Sequence, residues 1–380
     1  MNFDLTEEQR LLADSVRRFI ANDYAFEARQ RIVASADGYS AEAWNTMAEM
    51  GLLALPLPAE HDGFGGGAGD LMAVMDAIGE ALVVEPYLST LVGARFVMRA
   101  GSAAQRKEIL PAVATGAMKL AFAYLEDGAR YDLGHVATAA KRSGNGWVLS
   151  GTKRVVLHAP MADALVVSAR HDKGIGLFLV RHSRPRQQLS GAGSGGNPVS
   201  MNPYRTLENF RASDLVLQDT PAELLGDAGD ALPLIEEVVD WATALICAEA
   251  VGAMRSANEA TLEYLKTRKQ FGMPIGAFQA LQHRMVDMVI SHEQARSMAS
   301  LACTQVDSAP DANARKRVVS AAKLRIADAC RHISQEAIQL HGGMGMSEEL
   351  KVSHTFRRLT MIAQQFGDAD HHLERFASLP

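Results

Sequence analysis

One uninterrupted helical pattern, from Leu232 to about Lys269, is the feature that most restricts how this chain can fold. The same kind of pattern predicts three further helices, over Phe278–Asp307, Ala312–His341 and Lys351–Gln364. Helices of this length suit a bundle better than a compact mixed domain. Apolar residues recur along more than one face of the first and third stretches. The bundle is therefore expected to bury a large oligomeric interface.

In the part of the chain before Leu232, the spacing of apolar residues changes once, from a helical pattern to a β pattern. Up to about residue 118 the pattern is helical, and Thr6, followed by Glu7 and Glu8, is a predicted helix N-cap. Beyond that point, short apolar segments separated by Gly and Asn turns predict an antiparallel β domain. These segments are Leu120–Tyr124, Val136–Ala140, Trp147–Ser150, Arg154–His158, Ala164–Ser168 and Gly176–Val180. The Gly- and Ser-rich stretch Leu189–Pro198 predicts a mobile loop.

The order of these patterns predicts an α+β multidomain fold. We expect a helical domain over residues 1–118, a β domain over 119–225 and a helical bundle over 226–380. A chain of 380 residues is long enough for two or three domains that each bury a sizeable core.

Composition excludes several function classes. Hydrophobic residues make up 48% and charged residues 22%, as in globular soluble proteins, and the net charge of -6 argues against nucleic acid as the main partner. No apolar run reaches membrane-spanning length, and the N-terminus lacks a signal-peptide pattern, so a cytoplasmic protein without membrane contact is expected.

The cysteine and histidine patterns predict no metal site. The three cysteines, Cys247, Cys303 and Cys330, lack metal-ligand spacing and lie in helical apolar contexts. They are predicted to be small buried side chains of a protein from a reducing compartment. The adjacent pair His371 and His372 has no spaced third ligand.

Two stretches of the last third carry the chemical signal. The first, Arg268–Ile275, continues through Phe278 and Gln279 and places a guanidinium and an aromatic ring at a helix terminus. The second, Gln339–Met346, runs from a helix end into a glycine loop with accessible backbone N–H groups. Both suit a phosphate-rich ligand that carries an adenine. Either stretch alone is also compatible with an ordinary helix stop.

In this order, the two stretches resemble those of the acyl-CoA dehydrogenase family. Glu85–Thr90 and Gly151-Thr152-Lys153 fit the same resemblance, which covers essentially the whole chain. It implies an N-terminal helical domain, a middle antiparallel β domain and a C-terminal four-helix bundle. It also implies FAD-dependent α,β-dehydrogenation of an acyl-CoA thioester, with an electron-transfer flavoprotein as the acceptor.

The family resemblance assigns roles to the two stretches. In the family, such residues bind the ADP half of the FAD across a subunit interface. The corresponding residues here are Arg268, Gln270, Phe271, Gln279, Gln339, Gly342 and Gly343.

The resemblance locates no catalytic base. Family members carry a glutamate at one of two positions, which correspond here to Phe366 and Ala242. An α proton of a thioester is weakly acidic and needs a carboxylate, which neither residue supplies. Asp240 and Asp368 each lie two residues from a base position, but two helical residues turn by about 200°, so Asp240 is expected to point elsewhere. Asp368 is the remaining weak candidate, and the alternative for both is a solvated or capping carboxylate.

The segments that would face this subunit's own flavin depart from the family pattern as well. Where the family has Thr-Glu-Pro-x-x-Gly-Ser-Asp, the stretch Leu125–Asp132 keeps only Glu126 and Asp132. Where a family tryptophan stacks on the flavin and a threonine hydroxyl reaches it, this chain has Val155 and Leu157. These changes remove hydrogen bonds as well as contact area, so a flavin here is expected to be held poorly.

The chain thus keeps the family residues for the ADP half of a neighbour's FAD and lacks those for its own flavin and base. In this it resembles the small subunit of heteromeric acyl-CoA dehydrogenases of dicarboxylate and steroid side-chain degradation, such as the pimeloyl-CoA dehydrogenase small subunit. The ending Phe366–Leu373 fits that subgroup. It implies a heterotetramer in which this chain completes the FAD site of a catalytic homologue. Two alternatives stay open: a self-sufficient homotetramer with Asp368 as a displaced base, and a flavin-free scaffold. Nothing in the sequence identifies the acyl group.

Overall fold

The computed structural model of the protein describes residues 6–144, 146–181, 199–227 and 229–380. The chain divides into two compact units, each assembled from segments that are distant in sequence. The first unit comprises Met1–Arg31, Gly67–Val83 and Asp240–Pro380, and the second comprises Ile32–Gly66 and Val84–Val239.

The helices and strands follow in an order that leaves the sheet in the middle of the chain. The helices are α1 (Glu7–Asp23), α2 (Phe26–Ala34), α3 (Ala41–Glu49), α4 (Ala68–Ala81), α5 (Tyr87–Ala100), α6 (Ala103–Ala114), α7 (Leu232–Thr267), α8 (Gln279–Gln305), α9 (Ala312–His341), α10 (Lys351–Gln364) and α11 (Ala369–Ala377). The strands are β1 (Leu120–Ala123), β2 (Ala139–Ser143), β3 (Gly146–Leu157), β4 (Ala164–His171), β5 (Gly174–Arg181), β6 (Val199–Arg205), β7 (Arg211–Leu225), β8 (Lys269–Gln270) and β9 (Met273–Pro274).

The first unit is a helical assembly around α9. This helix packs against α8, α10 and α11, and Val319, Ile326 and Ile333 are fully buried along it. Their spacing of seven residues places them on one helical face. The strands β8 and β9 form a short hairpin between α7 and α8.

Two glycines allow α4 and α7 to approach each other at backbone distance. A Cβ atom added to Gly79 on α4 would lie 1.9 Å from the carbonyl oxygen of Glu249 on α7. A Cβ atom added to Gly252 on α7 would lie 1.8 Å from the carbonyl oxygen of Asp76 on α4. The missing side chain of each glycine therefore leaves the space that a backbone carbonyl of the other helix occupies.

The second unit contains a seven-stranded sheet, together with α3, α5 and α6. Five strands close into a ring in the order β4, β2, β3, β7 and β5, because β5 also pairs with β4. The strand β1 pairs with β4, and β6 pairs with β7. Inward-facing apolar side chains such as Leu149, Leu165 and Phe178 fill the core.

The structure confirms the α+β prediction, with helical N- and C-terminal parts and a middle β domain. The three-domain boundaries stay a prediction. The capping of α1 by Thr6 is confirmed, and Gln9 completes a capping box with it. The three cysteines are buried and unpaired, as predicted. Within the described ranges, no helix is both long and apolar enough to cross a membrane.

Three sequence predictions about local structure are wrong. The sheet is mixed, because β1 runs parallel to β4 over four residue pairs. The predicted strands Trp147–Ser150 and Arg154–His158 are one strand, β3, which continues through two irregularities of its pairing with β7. The predicted strand Val136–Ala140 begins only at Ala139. The helix α11 was not predicted, and the predicted mobile loop Leu189–Pro198 lies outside the described residues.

We predict that Gly79→Ala destabilises the protein by about 1–3 kcal/mol, because its methyl group would overlap a backbone carbonyl of α7. Gly69→Ala is the matched control, since Gly69 lies on the same helix and an added Cβ there meets nothing within 4 Å. That control should be neutral or slightly stabilising, because alanine favours helix over glycine. Urea unfolding of both variants measures the difference, and equal stabilities would contradict the close α4–α7 contact.

Candidate functional site

The hairpin after α7 presents an aromatic ring to solvent. The backbone N–H of Ile275 donates to the carbonyl of Arg268 at 2.9 Å, and β8 and β9 pair on either side of a two-residue turn. Both turn residues have positive φ, +54° at Phe271 and +81° at Gly272, as in the tight turns that favour hairpins. A phenylalanine at positive φ is strained, and its side chain is 91% exposed. Strain of this kind clusters at functional positions.

The helix ends at the two predicted stretches contact each other. The ring of Tyr264, in the last turns of α7, stacks on the ring of His341 at the end of α9, with centroids 4.5 Å apart. The Nδ1–H of His341 donates to the carbonyl of Ala337 at 2.8 Å, which fixes the ring. Burial lowers the pKa of His341, so the ring stacks as a neutral imidazole.

The glycine loop beyond α9 is open to a ligand. Gly342 has a φ of +60°, a conformation that suits glycine, and it ends the helix. A Cβ atom added to Gly342 or Gly343 would meet nothing within 4 Å. Gln339, in the last turn of α9, is exposed beside them. The backbone here is therefore exposed and unobstructed at both glycines.

Arg268 supplies a positive charge at the start of the hairpin. Its side chain is exposed, and it forms no ion pair within the described part of the chain. Gln279, the first residue of α8, is exposed as well. Gln270 is exposed, and its amide nitrogen donates to the carbonyl of Lys269 at 2.8 Å. All seven predicted cofactor residues thus lie on the solvent-facing surface of the first unit, which we call the hairpin edge.

Neither position that corresponds to a family base holds a proton acceptor. Ala242 is fully buried within α7. Phe366 lies in the loop between α10 and α11, has a φ of +61° and is half-buried.

The Phe366 loop is held from several sides. The Nζ of Lys323, on α9, is fully buried and donates to the carbonyls of Ile362 at 2.8 Å, Ala363 at 3.2 Å and Gly367 at 2.7 Å. Burial lowers the pKa of this lysine. The Nε2–H of His372 donates to the carbonyl of Phe366 at 3.1 Å. Because these contacts fix the backbone, the loop keeps its geometry although the residue at its tip is not a base.

A buried ion pair that the sequence reasoning missed connects this loop to α7. Glu249 and Arg358 are each 3% exposed and pair through two hydrogen bonds, of 2.6 and 2.8 Å. A third donor of Arg358 reaches the amide oxygen of Gln365 at 3.4 Å. Glu249 lies two helical turns after Ala242, a spacing that could have placed the two on one face of α7. Both oxygens of Glu249 are engaged by the guanidinium, so this carboxylate is not a free base.

The two aspartates near the base positions have structural roles. The expectation of a solvated or capping carboxylate is wrong for Asp240, which is 1% exposed and accepts from Arg315 at 2.9 Å and Arg375 at 2.7 Å. Its burial is possible because two guanidiniums balance its charge. Asp368 is the N-cap of α11, where its carboxylate accepts from the backbone N–H of His371 at 2.9 Å.

In the second unit, Glu126 is part of the core of the sheet. Its carboxylate accepts from the Nζ of Lys153 at 2.7 Å, the hydroxyl of Thr138 at 2.7 Å and the backbone N–H of Ala137 at 2.6 Å. Burial opposes ionisation of Glu126, but these donors outweigh it and lower its pKa. Glu126 and Lys153 therefore form a buried ion pair that stabilises the β domain.

Val155 keeps a strained backbone without the ring that the family pattern has there. Its φ is +48°, which a β-branched residue rarely adopts, and its side chain is 41% exposed. The carboxylate of Asp214 holds this conformation, since it accepts from the Val155 N–H, the Tyr204 hydroxyl and Arg154, each at 3.0 Å. The bend at Val155 thus depends on its neighbours, and an aliphatic side chain occupies it.

Comparison with known proteins agrees with this architecture. Three family models match the chain: the acyl-CoA dehydrogenase N-terminal domain over residues 6–117, the middle domain over 121–205 and the C-terminal domain over 231–378. The chain belongs to the acyl-CoA dehydrogenase family.

Individual relatives extend over nearly the whole chain. It is 30% identical to the acyl-CoA dehydrogenase FadE12 of Mycobacterium tuberculosis, over 95% of this chain and 93% of that protein. It is 29% identical to the solved structure of the Tcur3481-Tcur3483 steroid ACAD G363A variant, with a TM-score of 0.86, over 98% of this chain and 97% of that one. The ChsE4-ChsE5 complex of Mycobacterium tuberculosis shares the fold at 24% identity, with a TM-score of 0.87 and complete coverage of both chains.

We predict that mild acid destabilises this acyl-CoA dehydrogenase family member through His372. Burial, together with the charges of Lys323, His371 and Arg375, lowers the pKa of His372 from 6.5 to about 2. The unfolded chain therefore takes up this proton near pH 6.5 while the folded chain does not. The contribution of His372 is complete above that pH, and the free energy of unfolding should fall by up to about 1.4 kcal/mol per pH unit below it.

Urea unfolding between about pH 7.5 and pH 5 tests this slope. His372→Asn should flatten it by about one proton, because the variant has no imidazole to protonate at this position. His283→Asn is the control, since His283 is exposed on α8. Equal slopes in the two variants would show that His372 is not the group that acid titrates.

Proposed function

We propose that this chain is the small subunit of a heteromeric FAD-dependent acyl-CoA dehydrogenase and completes the FAD site of a catalytic homologous subunit. The observation that carries the proposal is a division between two sets of residues. The seven residues of the hairpin edge are exposed, and the Tyr264–His341 stack joins the helix ends beside them. The two base positions, in contrast, hold Ala242 and Phe366.

The residues of the hairpin edge fit the ADP half of FAD. The guanidinium of Arg268, which forms no ion pair with the described residues, matches a diphosphate, and the exposed ring of Phe271 matches the flat face of an adenine. Gly342 and Gly343 leave their backbone open to close approach. The flavin, when bound, supplies the acceptor for the hydride from the β carbon. The contribution of this chain is to bind and orient the cofactor from across an interface.

The same reasoning limits what this chain does alone. The two base positions are Ala242 and Phe366, and neither side chain can accept a proton. The nearby Glu249 is bonded through both carboxylate oxygens to Arg358. Val155 offers no ring for a flavin to stack on. We therefore assign abstraction of the α proton of the acyl-CoA substrate to the partner subunit.

An exposed apolar face beside the hairpin edge supports association with another subunit. Leu262 on α7 and Val286, Val289 and Ile290 on α8 are each about half exposed. They line a groove of about 640 Å³ that also reaches Pro274 of the hairpin. Apolar surface of this kind, continuous with the proposed cofactor edge, suits a subunit interface. The ChsE4-ChsE5 structure, which shares the fold of this chain, is a complex of two named proteins.

The content of FAD per subunit tests the proposal. The chain should be purified alone and after co-expression with a homologous subunit that has a glutamate at a base position. We expect little or no flavin absorbance from the chain alone and about one FAD per heterodimer from the complex. A chain that alone retains one FAD per subunit, and oxidises an acyl-CoA thioester, would contradict the small-subunit assignment. An electron-transfer flavoprotein is the proposed acceptor for the complex.

Arg268→Ala should weaken FAD binding in the assembled complex by at least tenfold. The reason is that a charge-assisted contact to a phosphate contributes about 1.5–3 kcal/mol. Because the Arg268 side chain is exposed, the variant should fold and assemble normally. FAD release upon dilution measures the effect, and Arg331→Ala, an exposed arginine on α9, is the control. Retention equal to that of the control would refute the role of Arg268.

The second candidate function is a self-sufficient dehydrogenase in which Asp368 acts as a displaced base. It is favoured by the position of Asp368, two residues beyond Phe366 in the same loop. Asp368→Asn separates the two, because asparagine also caps helices well and leaves the fold intact. We expect the turnover of the complex to change less than twofold. A loss of several orders of magnitude, with FAD content and assembly intact, would establish Asp368 as the base.

A further inference from the structure

A cavity of about 620 Å³ lies between α1, α4, α7 and α8 within the first unit. Its floor is formed by small and apolar side chains, namely Met72, Ala73, Ala248, Val251 and Ala299. Its volume is that of a small-molecule site, and sites between the helices of bundles are common. The floor can accept an apolar body of moderate length.

Four arginines line the same cavity, and they differ in how their charges are balanced. Arg255 is saturated by two carboxylates, those of Asp76 and Glu80. Arg296 pairs with Glu293 at 2.7 Å.

The two arginines of α1 are far less engaged. The guanidinium of Arg17 lies 3.8 Å from Asp14 and 3.9 Å from Asp76, which is beyond hydrogen-bonding distance. Arg10 has no ion pair within the ranges that the structure describes. These two residues are seven apart, so they lie on the same face of the helix. Two guanidiniums therefore face the cavity with donors to spare.

The α8 wall contributes one buried polar atom without a partner. His292 is buried, and its Nδ1 lies 3.3 Å from the carboxylate of Glu293. Its Nε2 has no hydrogen-bond partner among the described residues. An unpaired buried polar atom is uncommon in a folded protein. The polar side of this cavity therefore combines the spare donors of Arg10 and Arg17 with one buried imidazole nitrogen that has no partner in the described chain.

We propose that this cavity, the α1–α8 pocket, binds a monocarboxylate with an apolar chain. The guanidiniums of Arg10 and Arg17 would take the carboxylate, the ligand that suits their planar donors best. The apolar floor would take the chain. The other two arginines of the pocket, Arg255 and Arg296, are bonded to carboxylates of the chain. The donors that remain on Arg10 and Arg17 suit a single carboxylate better than a diphosphate.

The α1–α8 pocket is separate from the hairpin edge. Gln279 begins α8, and the pocket residues of that helix, from His292 to Ser300, lie in its second half. At 1.5 Å per residue, Gln279 and Arg296 are about 25 Å apart along the helix axis. Binding in the pocket is thus independent of the proposed small-subunit function.

Isothermal titration of the full-length chain with octanoate tests the pocket, with octanol and inorganic phosphate as matched probes. We expect octanoate to bind at least tenfold more tightly than either probe, since octanol lacks the charge and phosphate lacks the chain. Absence of octanoate binding up to about millimolar concentration, a limit that corresponds to about 4 kcal/mol, would overturn the proposal. Equal affinity for octanol or for phosphate would overturn the assigned ligand class.

The double variant R10Q/R17Q localises the binding. It should weaken octanoate binding at least tenfold while the unfolding temperature stays within a few degrees of the original. Arg18→Gln is the control, because Arg18 is an exposed neighbour on α1 that does not line the pocket. Unchanged octanoate affinity in the folded double variant would place the ligand elsewhere and refute the pocket. A loss of affinity in the Arg18 control as large as in the double variant would refute it too.

Discussion

The ammonium group of Lys323 is the contact on which the arrangement of the C-terminal helices depends. It comes from the centre of α9, lies fully buried, and donates to the last carbonyls of α10 and to Gly367 in the next loop. The final carbonyls of a helix have no partner of their own, and a buried cation satisfies them and complements the helix dipole. In one contact, α9 fixes where α10 ends and how the chain enters α11.

The constraint at Lys323 explains how the loop between α10 and α11 is held independently of the side chain of Phe366. The carbonyl of Phe366 is held by His372, and Gln365 is held by the Glu249–Arg358 pair. None of these contacts involves the side chain at the tip of the loop. The identity of residue 366 is therefore free to change while the backbone stays at a φ of +61°. The bend at Val155, held by Asp214, is a second case of the same kind.

At the hairpin edge of the first unit, in contrast, the side chains themselves are exposed to solvent. Phe271 is strained and solvent-facing, Arg268 has no ion pair among the described residues, and the glycines after α9 leave their backbone open. The positive φ of Phe271 and the exposure of its ring cost free energy in the isolated chain. They become favourable if an anionic, ring-bearing ligand and another subunit cover them. The residues that stabilise the first unit and the residues that the proposed function uses are thus different.

The sequence by itself determined the helical and β regions and the boundaries of α9 and α10, because periodicity and caps are local signals. The assignment of seven cofactor residues rests on the family resemblance and stays a prediction. The sequence did not determine that β1 runs parallel to β4, that β3 is one strand, or that α11 exists. Nor did it show that Asp240 is buried between Arg315 and Arg375, or that Glu249 pairs with Arg358. Those features depend on residues up to 135 positions apart in the chain. The stability of a buried charge is set by the partner that folding brings to it, and only the tertiary structure decides which partner that is.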